Sequence, residues 1–269
     1  MLQKKQAVNL TKISALALLA GCCCALQAQD AKQLVQQAVN SELAKHSADH
    51  SLWMYYEVES KPPLTAEQWV EGTAQVNVLR IVKRNGQPVP VEQQRKQVEA
   101  FVHDPGLQAQ QRADTEHDDE QAASLLKLLP VAFLWTETSR NLSTTTFHFK
   151  PDPNFQPPTR EARVFAAMEG ELTVDNAQQR IEEINGRLIH DVNFGWGLLG
   201  KLDAGGTFQL IRRQIGQGVW HHTETHIHIQ GHALLFKSIS EDEDDVKTLW
   251  QPAPDSLTLD QAADAVMER

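Results

Sequence analysis

Cysteine is confined to one spot in this chain: Cys22, Cys23 and Cys24 stand side by side, and none follows. No disulfide can therefore staple the rest of the fold, which must hold by packing alone. Long apolar runs are equally scarce. The only one, from Ile13 to Leu26, is too short to span a bilayer. With no second run, any membrane attachment has to come from the amino terminus. Acidic residues are missing before Asp30, while Lys4, Lys5 and Lys12 make a basic head. Basic head, short greasy core and small residues after it predict an export signal over residues 1–28.

Positive charge is also in short supply. Lys and Arg number 25 against 35 Asp and Glu, a formal charge of −10. Removing residues 1–21 deletes three lysines and no acid, leaving 22 against 35, or −13. Such a surface repels phosphate backbones and excludes nucleic acid as a natural partner. Motifs of common chemistry are absent too. No G-x-S-x-G elbow, P-loop, H-E-x-x-H or C-x-x-C occurs, so hydrolysis, phosphoryl transfer and redox work lack support.

Two endings of the leader compete. Leu19-Ala20-Gly21-Cys22 reads as a lipoprotein signal, with Cys22 becoming the lipidated first residue. Ala28, ahead of Gln29-Asp30, offers an ordinary cleavage end instead. Either leaves residues 30–269 as a single α+β domain in the periplasm or anchored to the cell envelope.

Apolar residues at Leu34, Val35, Val39 and Leu43 predict a helix from Asp30 to about His46. Ser51–Glu59 and Val76–Lys83 predict strands, the second ended by Asn85-Gly86. A helical insert at about 87–130 holds one helix at Val91–His103 and another at about Glu120–Leu129. Asp104–Glu120 reads as a mobile connection between them, and Pro130 as the stop. Phe133–Thr138 and Thr144–Lys150 predict a strand pair, followed by a proline-rich crossing and a short helix at Thr159–Met168. Then come six strand candidates: Glu171–Val174, Arg180–Ile184, Arg187–Phe194, Thr207–Arg213, Val219–Ile229 and Ala233–Ile239. Turn residues between them, Asn185-Gly186 included, leave no room for crossover helices and predict an antiparallel meander. Glu241–Asp245 reads as a solvated charge run without calcium-loop spacing. Thr258 and Gln261 are placed as a capping box for a last helix from Leu259.

The strongest chemical candidate is the run from His221 to His228. On an unbroken strand His222, Glu224, His226 and His228 share a face, and imidazoles two apart can chelate zinc. The plainer reading is the polar face of an amphipathic strand, with Ile227 and Ile229 opposite. Gly195-Trp-Gly-Leu-Leu-Gly200 fits a dinucleotide fingerprint, but no helix can follow it; a sheet corner fits better. The six tryptophans and nine phenylalanines serve a core or line an apolar cavity. No cofactor other than zinc is suggested.

Residues from about 130 to 250 resemble a family of uncharacterised exported bacterial proteins related to the outer-membrane lipoprotein-sorting (LolA/LolB-like) superfamily. The resemblance rests on Leu129-Pro-Val-Ala-Phe133, residues 147–165 (FHFKPDPNFQPPTREARVF), MEGELTVD at 168–175, RLIHDVNFGWGLLGKLDAGGTF at 187–208, and the later GVW and LLFKSIS segments. It implies a large curved antiparallel sheet, an eleven-stranded half-barrel closed by a few helices over a greasy cavity. The function it implies is non-enzymatic binding of a lipid or a lipoprotein acyl chain. A periplasmic sensor or protein-interaction module of the same fold, engaging an envelope partner, is the alternative; a metal-dependent enzyme built on His222, Glu224, His226 and His228 is another.

Overall fold

The computed structural model describes residues 30–194, 200–232 and 241–269. The expected export signal with Cys22, most of the Gly195–Gly200 motif and the strand expected at Ala233–Ile239 lie outside them. Helix α1 covers residues 30–48. Strands β1 (Trp53–Lys61), β2 (Leu64–Gly72), β3 (Asn77–Arg84) and β4 (Gln87–Pro88) follow as hairpins. The β3–β4 turn is the expected Asn85-Gly86 pair, with φ of 49° and 74°. Those two left-handed residues are what a two-residue hairpin requires. Strand β2 was not foreseen, and its sequence explains why. Polar Gln68 and Glu71 occupy buried positions, so the apolar alternation that marks a half-buried strand is lost.

Helices α2 (Val91–Val102) and α3 (Pro105–Ala132) come next. The connection expected at Asp104–Glu120 is instead the first half of α3. Asp104 caps it, its carboxylate accepting from the N–H groups of Gly106 (2.8 Å) and Leu107 (3.1 Å). Pro105 sits at the first helical position, where a missing donor costs nothing. The Pro-Gly step is thus a helix start. Nor does Pro130 end the helix at once: its missing N–H forfeits one bond to the carbonyl four residues back, and the helix continues to Ala132 before it stops. At 28 residues α3 is roughly 42 Å long. It runs from Asn77 of β3, whose backbone bonds the Gln111 side chain, to the start of β5 (Phe133–Arg140).

Strand β6 (Thr144–Pro151), a 3-10 turn at Glu161–Ala167, and strands β7 (Met168–Asp175) and β8 (Arg180–Leu188) continue the sheet. Short β9 (Val192–Phe194) and β10 (Gly200–Leu202) precede β11 (Thr207–Gly216), β12 (Val219–Ile229), β13 (Gly231–His232) and β14 (Glu241–Pro252). Eleven strands form one antiparallel sheet in the order β4-β3-β2-β1-β14-β12-β11-β8-β7-β6-β5. A small second sheet joins β13, β10 and β9. The fold is therefore α+β, with a large antiparallel sheet and a few helices.

Two further expectations need correction. Asn185-Gly186 is not a turn but the interior of β8. A Cβ on Gly186 would stand 2.3 Å from the Glu169 carbonyl and 2.8 Å from the Phe208 ring, so glycine here admits a close neighbour. Glu241–Asp245 is not a free charge run but the start of β14, paired with β12 throughout and with β1 at Asp244 and Asp245. Asp245 is only 7% exposed. Acidic residues carry low strand propensity, and only partners on both sides override it.

Helices cover opposite faces at opposite ends of the sheet. Helix α1 lies on one face over β5–β8 and β11, here called the inner face. Helices α2 and α4 (Leu259–Met267) lie on the other face of β2 and β3, around Val78, Val98, Ala262 and Val266. The capping box of α4 forms as expected: Gln261 N–H donates to Thr258 Oγ1, and Thr258 N–H to Gln261 Oε1. Thr258→Ala should cost about 1 kcal/mol in urea denaturation.

Candidate functional site

Two places hold chemistry, one on each face of the sheet. On the inner face, Ala31, Val35, Ala38, Val39 and Glu42 recur at helical spacing along one side of α1, all essentially fully buried. Four small apolar side chains thus lie on a floor of large ones: Phe133, Trp135, Phe147, Phe149, Phe165, Leu172 and Phe208. Ring centroids there are 4.7 Å apart for Phe133–Phe149 and 5.4 Å for Trp135–Phe149, in tilted contact. The Trp135 indole N–H is buried and has no acceptor among the described residues. A buried tryptophan usually finds a partner for that donor.

Beyond this floor the inner face becomes ionic. Glu42 receives two bonds from Arg180, Nε to Oε1 and Nη2 to Oε2, each 2.9 Å. It also accepts the Ile181 N–H at 2.7 Å and pairs with Arg212. Burial alone would raise Glu42, but Arg180 and Arg212 hold it below the usual carboxylate value. A second network lies nearby. Lys247 reaches Glu57 at 3.3 Å and pairs with Asp245, while Gln68 donates to Glu57 at 2.5 Å. Burial raises Glu57 even against the Lys247 charge.

The candidate zinc residues divide between the faces. Along β11, Ile211 pairs with Glu224 but the next residue, Arg212, pairs with His222. Thr223 is an extra residue in β12, and this bulge breaks the alternation. Arg212 reaches Glu42 of α1, so His222 beside it belongs to the inner face, near Lys247. Solvent touches His222, yet protein encloses it on most sides. That enclosure, with Arg212 and Lys247 adding repulsion, depresses its imidazole to about 4. Glu224, His226 and His228 do share the outer face. His226 and His228 border an open groove of about 730 Å³ lined also by His148, Glu169, Arg187 and Gln209, with Gly170, Gly186 and Phe208 among its other residues.

Sequence reasoning missed what those histidines touch. His226 Nδ1 lies 2.5 Å from Asp244, and His228 Nδ1 lies 2.7 Å from Asp242. His228 Nε2 is 3.4 Å from Asp244, and His226 Nε2 is 3.5 Å from Glu224. Carboxylate and imidazole therefore alternate along the β12–β14 ladder, and the bonds to Asp244 and Glu224 raise His226. The signal was present, since Asp242 and Asp244 match the two-residue spacing of His226 and His228 on an antiparallel neighbour. Among the described residues no group of three or more His, Asp or Glu side chains is arranged to hold a metal ion. Nor is any described helix long and apolar enough to cross a membrane. Comparison with protein-family models, curated proteins and solved structures finds no match for this chain.

Proposed function

We propose that the protein is an exported, non-enzymatic envelope protein. In this reading it holds an apolar ligand, a lipid or a lipoprotein acyl chain, on the inner face of a sheet curved as a half-barrel. One observation carries the reading: the side chains that α1 buries fully on a floor of six aromatic rings are small, with Leu34 and Leu43 only partly buried beside them. Such a cover is thin. Ala31, Val35, Ala38 and Val39 have few methylenes to bury, whereas each CH2 of an acyl chain gains about 0.8 kcal/mol on burial. A long chain can therefore compete with α1 for the floor, and the helix would act as a lid. The unpartnered Trp135 indole N–H also favours a ligand with a polar atom along its chain, such as an ester carbonyl. Lipidation at Cys22 would make the domain an anchored receptor; cleavage after Ala28 would make it a diffusible carrier.

Native mass spectrometry of protein purified from membranes should show a retained lipid, and a fluorescent fatty acid should be taken up by the stripped protein. Absence of both signals would sink the reading.

A further inference from the structure

The Glu42 cluster on the inner face carries an unbalanced charge. One carboxylate, Glu42, faces two guanidinium groups, Arg180 and Arg212. No second carboxylate among the described residues lies within 4.0 Å of either. Other acids nearby are committed: Glu57 and Asp245 to Lys247, and Asp49 to the Ser51 N–H and Oγ, with His221 at 4.0 Å. Arg180 is almost completely buried, and the Arg212 side chain is 15% exposed. Arg212 gives Nη1 to Glu42 and Nη2 to the Trp220 carbonyl at 3.2 Å, while its Nε is buried with no partner. Burying a charge without a counter-charge is costly, and an orphan charged donor adds to that cost. Both costs vanish if an anion arrives.

We propose that Arg212, backed by Arg180 and with His222 at the solvent side, is a head-group site for an anionic amphiphile. The inference rests on the apolar-ligand reading above and adds the sign of the head group. The anion, a carboxylate or a phosphate, accepts a charge-assisted hydrogen bond from Arg212 Nε and neutralises the excess charge. Its chain turns towards the aromatic floor beneath α1, the same helix that carries Glu42. His222, exposed and in register with Arg212, marks where the head group meets water. One face thus offers both halves of an amphiphile their own surroundings.

Calorimetric titration of the purified protein with hexadecanoate and with hexadecan-1-ol, matched in chain length, tests this. Hexadecanoate should bind about 10- to 100-fold more tightly, the range expected of one hydrogen bond to a charged group. Arg212→Gln should abolish that preference while leaving hexadecan-1-ol affinity unchanged, because the Glu42–Arg180 pair survives. Arg212→Lys should recover part of it. Equal affinity of the native protein for the two probes overturns the head-group site and leaves the apolar-ligand reading standing. So does a preference that persists in Arg212→Gln. Binding of neither probe overturns both. The native comparison decides even if Arg212→Gln fails to fold.

Discussion

Glu42→Gln should lower the unfolding free energy by about 3–5 kcal/mol, the usual cost of breaking a buried ion pair from one side. The substitution keeps the shape and leaves two buried guanidinium groups with no counter-charge between β8, β11 and α1. It also weakens the acceptor for the Ile181 N–H. Arg212→Gln should cost much less, because it leaves one carboxylate against one guanidinium. The native protein should show the same contact through pH. The arginines depress the folded-state pKa of Glu42, so its contribution is complete above the unfolded value of about 4.5. It fades as pH falls through the folded value. Urea denaturation from pH 7 downward should show a stability loss that is missing in Glu42→Gln. Equal acid sensitivity of the two proteins, or a loss below about 1 kcal/mol at pH 7, would place the triad in water rather than in a buried seam.

Phe149→Ala should have a similar effect, about 3–5 kcal/mol, from the lost transfer free energy and the cavity left behind. Phe149 is fully buried and meets the rings of Phe133 and Trp135. Its neighbours come from β5 and β6, which cannot collapse into the gap without breaking their ladder. Leu134→Ala, one residue along β5 from Phe133, should change stability by less than about 0.5 kcal/mol, since Leu134 is 43% exposed. Thermal or urea unfolding of the two variants side by side checks the orientation of β5. If both cost the same, α1 would not be lying on this side of the strand.

The two variants also probe the proposed function from different directions. Glu42→Gln loosens the fastening of α1 while sparing the aromatic floor. Phe149→Ala cuts the floor and spares the fastening. Uptake of a fluorescent fatty acid should rise or persist in the first and fall in the second, if α1 is a lid over the ligand.

Much of the fold was legible because local signals sufficed. Helical spacing at Leu34, Val35 and Val39 marked α1, and Asn85-Gly86 marked a hairpin through two left-handed residues. Thr258 and Gln261 announced α4 by reciprocal capping. Errors fell where one residue type serves two uses. Asp104-Pro105-Gly106 reads as a loop or as a capped helix start, and the 28-residue helix that follows it decides. Asn185-Gly186 reads as a turn until Phe208 is seen against Gly186. The acids of β14 read as solvated until β1 and β12 are seen on either side.

The candidate site was less legible still. Its histidines were visible, but alternation places His222, Glu224, His226 and His228 on one face only if the strand is regular. A single extra residue, Thr223, sends His222 to Arg212 and leaves Glu224, His226 and His228 with Asp242 and Asp244. Glu42, Arg180 and Arg212 carry no motif at all. They lie 138 and 170 residues apart for the two Glu42 pairs, and nothing local predicts their meeting.

By itself the sequence determined those helices and strands whose capping, turn conformation and hydrophobic spacing act within a few residues, such as α1, α4 and the β3–β4 hairpin. It also determined that no cysteine bridges the folded domain and that the charge is acidic. Only the tertiary structure decided that strands far apart in the chain, β1 and β14, become neighbours. It alone decided that α1 brings one carboxylate to two arginines over an aromatic floor. Strand pairing and buried charge depend on partners that no local window contains.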